Sequence, residues 1–143
     1  MNSDFKDLLS CLNEKKVKYL VVGGYAVTYY AEPRYTKDLD LWVEASPQNS
    51  RRLVRALSDF GAPTDSLAPL DFATPGVLFI FGIPPNRVDI LTEVSGVRFS
   101  VAWKAKKIVF VDRTKVNFVS RLHLKRMKKA AGRPQDLLDL KKL

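Results

Sequence analysis

The sequence predicts an α/β chain of the α+β kind, a mixed sheet of about four to six strands packed with helices. Three observations carry that expectation. Segments with helical periodicity and β-branched runs follow one another in the order α-β-α-β-α-β-β-(β)-α, which suits helices laid on a mixed sheet. Two of the strand-like runs, residues 38–43 and 87–91, place aspartates between apolar residues. A glycine pair, Gly23-Gly24, stands between a strand-like and a helix-like segment.

The elements follow in order. Phe5, Leu8, Leu9 and Leu12 are spaced i, i+3, i+4, i+7, which predicts an amphipathic helix over roughly residues 3–15 with Ser3 as its cap. Residues 17–22, Val-Lys-Tyr-Leu-Val-Val, read as a strand. A short helix over residues 25–31 is expected to end before Pro33, because proline disfavours helix in the residue preceding it. Asp38-Leu39-Asp40-Leu41-Trp42-Val43 alternates as a second strand. Ser46-Pro47 is a helix start, Leu53, Val54, Leu57 and Phe60 mark its face, and Gly61 stops it. Residues 62–75 read as a loop. Residues 77–81 and 87–91 read as a hairpin around Gly82–Asn86. Further short strands are expected at 97–101 and 107–111. Ser120 caps a helix running to about Ala131, and Pro134 opens a last one.

The chain has 143 residues, 46% hydrophobic and 27% charged. That suits a single domain over residues 1–143 and argues against disorder. One cysteine, Cys11, excludes an intrachain disulfide. The polar, charged N-terminus is unlike a signal peptide, and no apolar run approaches the roughly 18 residues that cross a bilayer. The expectation is a cytoplasmic protein without a membrane partner. Net charge is +9 and uneven: residues 1–97 carry 10 basic and 12 acidic side chains, residues 98–143 carry 14 and 3. A basic second half of this kind faces an anion, such as a triphosphate or a nucleic acid, or simply solubilises the surface.

Alternation puts Asp38 and Asp40 on one strand face, with backbones about 7 Å apart. Asp89, between Val88 and Ile90, emerges opposite its apolar neighbours. If the two strands are near neighbours, the three carboxylates share a face, and a cation would relieve their repulsion. Magnesium or manganese, which take hard oxygen ligands, would suit them. An Asp-x-Asp on a strand also serves as a plain solvated face. Gly23 and Gly24 would let backbone N–H groups approach phosphate at a helix N-terminus, or would simply turn the chain. Arg34 and Lys37 either neutralise phosphate or decorate a loop. Lys125 and Arg126 either reach a triphosphate or RNA, or lie on a solvated face. His123 reads as structural. Trp42, on the aspartate face, is the best of three candidates for stacking a base, ahead of Tyr25 and Tyr29.

The run from the first strand through Gly23-Gly24, Arg34-Tyr35-Thr36-Lys37-Asp38-Leu39-Asp40-Leu41 and Arg87-Val88-Asp89-Ile90-Leu91 resembles the DNA polymerase β-type nucleotidyltransferase superfamily. Residues 123–140 are also similar to small nucleotidyltransferase-like proteins and to catalytic domains of AbiEii-type toxins. The resemblance implies a nucleotidyltransferase fold. In it Asp38 and Asp40 bind two Mg2+, Asp89 shares one of them and helps activate a hydroxyl, and Gly23 and Gly24 hold the phosphates of a nucleoside triphosphate (NTP). It also implies transfer of a nucleoside monophosphate to RNA, protein or a small molecule, as an enzyme or as the toxin of a toxin–antitoxin system. The alternative is a non-catalytic nucleic-acid-binding protein on the same fold. Gly24 stands where many members have serine. Only residues 120–142 are left to grip an acceptor, so either the acceptor site is open or a homodimer, an antitoxin or another helical partner completes it.

Overall fold

In the computed structural model, which describes every residue except Arg34, Tyr35 and Lys37, β-strand pairing arranges the whole chain. The elements are α1 (Ser3–Glu14), β1 (Tyr19–Val22), α2 (Gly23–Tyr30), β2 (Asp38–Val43), α3 (Pro47–Phe60), β3 (Leu78–Phe81) and β4 (Arg87–Leu91). They continue with α4 (Phe99–Lys104), β5 (Lys107–Val111), β6 (Thr114–Phe118), α5 (Arg121–Ala131) and α6 (Pro134–Lys142). The described strands form one mixed sheet in the order β3-β4-β2-β1-β6-β5.

The centre of the sheet is the apolar part of the sequence. Every residue of β1 is buried, as expected for a strand covered on both faces. In β2, Leu39, Leu41 and Val43 are fully buried. Phe5, Leu8, Leu9 and Leu12 bury one stripe of α1, which packs on α3. Asn49 pins α3 to the sheet. Its Oδ1 accepts from Lys18 N at 2.8 Å, and its Nδ2 donates to Lys18 O at 3.1 Å and Glu44 O at 2.9 Å.

Several expectations need correction. The cap of α1 is Asn2, whose Oδ1 accepts from Phe5 N at 2.8 Å, and not Ser3. Residues 97–101 do not form a strand; residues 99–104 form α4. Val97, Phe99 and Val101 alternate like a strand, but Phe99 and Trp103 stack at i, i+4 with ring centroids 5.8 Å apart, and Ala102 is buried. That apolar helix face outweighs local β propensity. Strand β6 is an addition to the expected elements. It pairs antiparallel with β5 and parallel with β1. Its hairpin turns at Asp112 and Arg113, with φ of 47° and 71°, a positive-φ turn that usually signals itself by Asn-Gly. Trp42 is not a base-stacking surface. It is 1% exposed and meets Phe99 edge-on at 5.2 Å.

Candidate active site

Strand register creates the site. β2 runs parallel to β4 with Asp40 opposite Asp89 and Asp38 opposite Arg87. Leu39, Leu41, Val88 and Ile90 are buried, so alternation sends Asp38, Asp40, Arg87 and Asp89 to the other face. On the far side of β2, Asp40 pairs with Val22 of β1. The residue after Val22 is Gly23, the first of α2.

Gly23 is fixed twice over. Its φ is +65°, and a Cβ there would lie 2.0 Å from Asp40 Oδ2. The α2 N-terminus and the Asp40 carboxylate therefore share space that only glycine leaves free. Gly23→Ala is expected to cost about 1–2 kcal/mol from the left-handed backbone alone, plus the displacement of Asp40. Chemical denaturation measures the loss; an unchanged midpoint would contradict the close approach. Gly24 is buried in the first turn of α2.

The carboxylates are under-compensated. Arg87 Nε and Nη2 donate to Asp89 Oδ1 and Oδ2 at 2.8 and 3.0 Å, a bidentate pair. Arg87 Nε is also 3.8 Å from Asp38 Oδ2. Asp38 Oδ1 is buried and has no hydrogen-bond partner, which a native structure rarely tolerates without a ligand or ion. Burial, then Asp89 and Asp38, push the Asp40 carboxyl up to about 7, with Lys128 and Arg87 offsetting part of the rise.

Among the described residues, no group of three or more His, Cys, Asp or Glu side chains is gathered as around a metal ion. Arg87 supplies the positive charge between Asp38 and Asp89 instead. The donor chemistry nevertheless fits a hard divalent cation: three carboxylates on adjoining strands, one oxygen orphaned, one acid pushed toward its protonated form by burial and then by like charge.

The aspartates floor a cleft of about 670 Å³, and α5 and the start of α6 wall it with Lys128, Arg133 and Asp136. Lys128 Nζ lies 3.2 Å from Asp136 Oδ1 and 3.0 Å from Asp139 Oδ2, with all three side chains buried. Arg133 Nε donates to Asp136 Oδ2 at 2.7 Å while its side chain stays 76% exposed. The cleft thus has an acidic floor and a wall whose two cations are matched by two carboxylates, with the Arg133 side chain alone of these four largely exposed.

The sequence-predicted residues are partly brought together. Asp38, Asp40, Asp89 and Gly23 line the cleft. Lys125 is half-buried on α5 and lies outside the cleft lining. Arg34 and Lys37 lie outside the described residues. Sequence reasoning missed Arg87, Lys128, Arg133 and Asp136. Two signals were present: Arg87 is two residues from Asp89 on the same strand face, and Lys128 is four from the buried Leu124 on the same helix side. His123 is buried with Nδ1 unpartnered, and burial and then Arg126 lower its pKa.

This sheet order and cleft define a fold class that comparison with solved structures identifies. Seven chains of solved structures match. One is a candidate nucleotidyltransferase from Thermotoga maritima, 14% identical, with a TM-score of 0.64 over 96% of this chain and 88% of that one. Another is the lincosamide antibiotic adenylyltransferase LnuA with lincomycin bound, 15% identical, with a TM-score of 0.59 over 99% and 95%. The fold is that of the nucleotidyltransferases. No protein-family model and no curated protein matches the sequence. No helix among the described residues is long and apolar enough to cross a membrane.

Proposed function

We propose that this chain is a nucleotidyltransferase that moves a nucleoside monophosphate from a Mg2+-bound NTP to a hydroxyl acceptor. The observation that carries the reading is the β2–β4 register, which sets Asp40 beside Asp89, with Asp38 on the same face and Gly23 against Asp40. Asp38, Asp40 and Asp89 would hold Mg2+ or Mn2+, which when bound neutralises the carboxylates and stabilises the attacking and leaving oxygens.

The chain's own groups divide the remaining work. The N-terminus of α2, with the glycine space at Gly23, offers backbone N–H groups to phosphate oxygens. Arg133, 76% exposed at the rim of the same cleft, is the wall cation that can meet the triphosphate's charge, while Lys128 holds the wall together through Asp136 and Asp139. The acceptor hydroxyl attacks the α-phosphorus, pyrophosphate leaves, and the hydroxyl proton passes to a carboxylate such as Asp89. Arg87 would have to release Asp89 for that carboxylate to hold a metal, because both would use the same oxygens.

The Arg87 clamp is also the observation that favours a second reading, an inactive nucleic-acid-binding relative in which arginine permanently replaces the metal. Incubation with α-labelled NTPs, Mg2+ and either total RNA or total protein separates the two. Label transfer that disappears in Asp89→Asn supports catalysis. Salt-sensitive RNA binding with no transfer to either pool supports the binder. In the cytoplasmic toxin setting, where a separate antitoxin or a homodimer covers the cleft, expression of the wild type arrests growth and expression of Asp38→Asn does not. Equal growth of the two excludes that setting.

A further inference from the structure

A second cavity adjoins the aspartate cleft. It measures about 650 Å³, lies between the end of β2, the segment after β4 and α4, and shares Glu93 and Val94 with the cleft. β2 links the two: Asp40 floors one, and Trp42, two residues on and roughly 7 Å along the strand, lines the other.

Three residues that carry N–H donors line this second cavity. Trp42 is 1% exposed, and its Nε1–H has no hydrogen-bond partner, whereas buried donors are normally paired. Arg98 and Arg126 also line it. Both are exposed, and neither makes an ion pair among the described residues. The fold brings the backbone segments that carry these two arginines together at Gly96. Its φ is +87°, and a Cβ there would lie 2.8 Å from Ala130 Cβ and 3.2 Å from Arg126 O. The segment carrying Arg98 therefore lies directly on α5. Two acids oppose them. Glu44 is already engaged by Lys18 at 3.5 Å and by Ser46 Oγ at 2.9 Å, which leaves Glu93 on the seam with the cleft. The balance is two guanidiniums and an unmet N–H against one carboxylate, a donor set suited to an oxyanion.

We propose that this cavity binds a phosphate group carried by the acceptor, which Arg98 and Arg126 hold while Trp42 Nε1–H donates to it. The word acceptor rests on the transfer reading above; the binding does not. The phosphate belongs either to a small phosphate ester or to a nucleic-acid strand, and the shared chemistry is the same.

The test is an N–H correlation spectrum of the full isotope-labelled chain, in which Trp42 and Trp103 each give one indole resonance and Trp42→Phe assigns the first. Inorganic phosphate is expected to move the Trp42 resonance saturably. The double variant Arg98→Gln/Arg126→Gln is expected to weaken that response at least tenfold. Parallel titrations with a nucleoside monophosphate and with a short single-stranded RNA assign the source by which binds tighter. A Trp42 resonance that stays still at saturating phosphate, its N–H satisfied by the face of Phe99, overturns the proposal. So does equal affinity in the double variant. The readout needs no turnover: a responding Trp42 in a chain that transfers nothing sinks the enzyme reading alone, and a silent Trp42 in an active enzyme sinks this site alone.

Discussion

Asp40→Asn is expected to abolish nucleotide transfer, by on the order of a thousandfold or more, and to make the fold more stable above neutral pH. The first effect follows from the place of Asp40, between Gly23 and Asp89 at the centre of the cleft. The second follows from its proton. Burial and two neighbouring aspartates raise its carboxyl from 3.8 to about 7. Below the lower value both folded and unfolded chains hold the proton, and nothing is lost. Between the two values the unfolded chain releases it while the folded chain keeps it, so stability falls as pH rises. Above about 7 the full penalty applies, on the order of 2–4 kcal/mol. Asparagine carries no such charge. Denaturation at pH 8 should show the variant more stable than the wild type, and the gap should close near pH 4. Mg2+ with NTP should stabilise the wild type at pH 8 and leave the variant almost unchanged. A variant less stable than the wild type at pH 8 would mean that Asp40 is already neutralised by its neighbours.

Lys128→Met is expected to destabilise the protein by about 3–5 kcal/mol, the scale for removing one partner from a buried ion cluster. Lys128 meets both Asp136 and Asp139, and neither carboxylate reaches solvent. Burial alone would raise Asp136, yet the hydrogen bonds from Arg133 and Lys128 outweigh it and hold its pKa below the ordinary value. Without Lys128 the two buried acids at the joint between α5 and α6 lose the cation they share, with Arg133 remaining on Asp136 and the Gln135 amide on Asp139. Methionine keeps most of the volume, so the loss is electrostatic. The combination Lys128→Met, Asp136→Asn, Asp139→Asn should recover much of the stability. If the single variant unfolds like the wild type, water reaches the cluster and the joint is not sealed. The joint also sets the wall of the cleft, so activity should fall with it.

The central pattern was legible because strand alternation is a strict period of two. Leu39, Leu41, Val88 and Ile90 mark the buried face, and the aspartates follow on the other face without further information. The hairpin of β3 and β4 and the span of α3 between Ser46 and Gly61 were equally readable, since each carries its own turn or cap chemistry. What sequence could not show is which strands are neighbours. The β2–β4 pairing joins residues about fifty positions apart, and the entry of β6 beside β1 depends on a turn at Asp112-Arg113 with no glycine. The basic tail misled for a related reason. A lysine reads as solvent-facing unless its counter-charges are known, and those of Lys128 lie on the next helix. Trp42 shares the aspartates' face, as alternation requires, but α4 closes over it, and the alternation of Val97, Phe99 and Val101 hides that helix in the sequence.

The most direct test of the account is Mn2+ binding, followed by its paramagnetic signal, with a non-hydrolysable α,β-methylene NTP present. The wild type is expected to bind Mn2+ only when the nucleotide is present, and Asp38→Asn, Asp40→Asn and Asp89→Asn should each weaken that binding at least tenfold. Mn2+ binding that is absent in the wild type, or equally strong in all three variants, would contradict the assignment of these aspartates as the metal–nucleotide site.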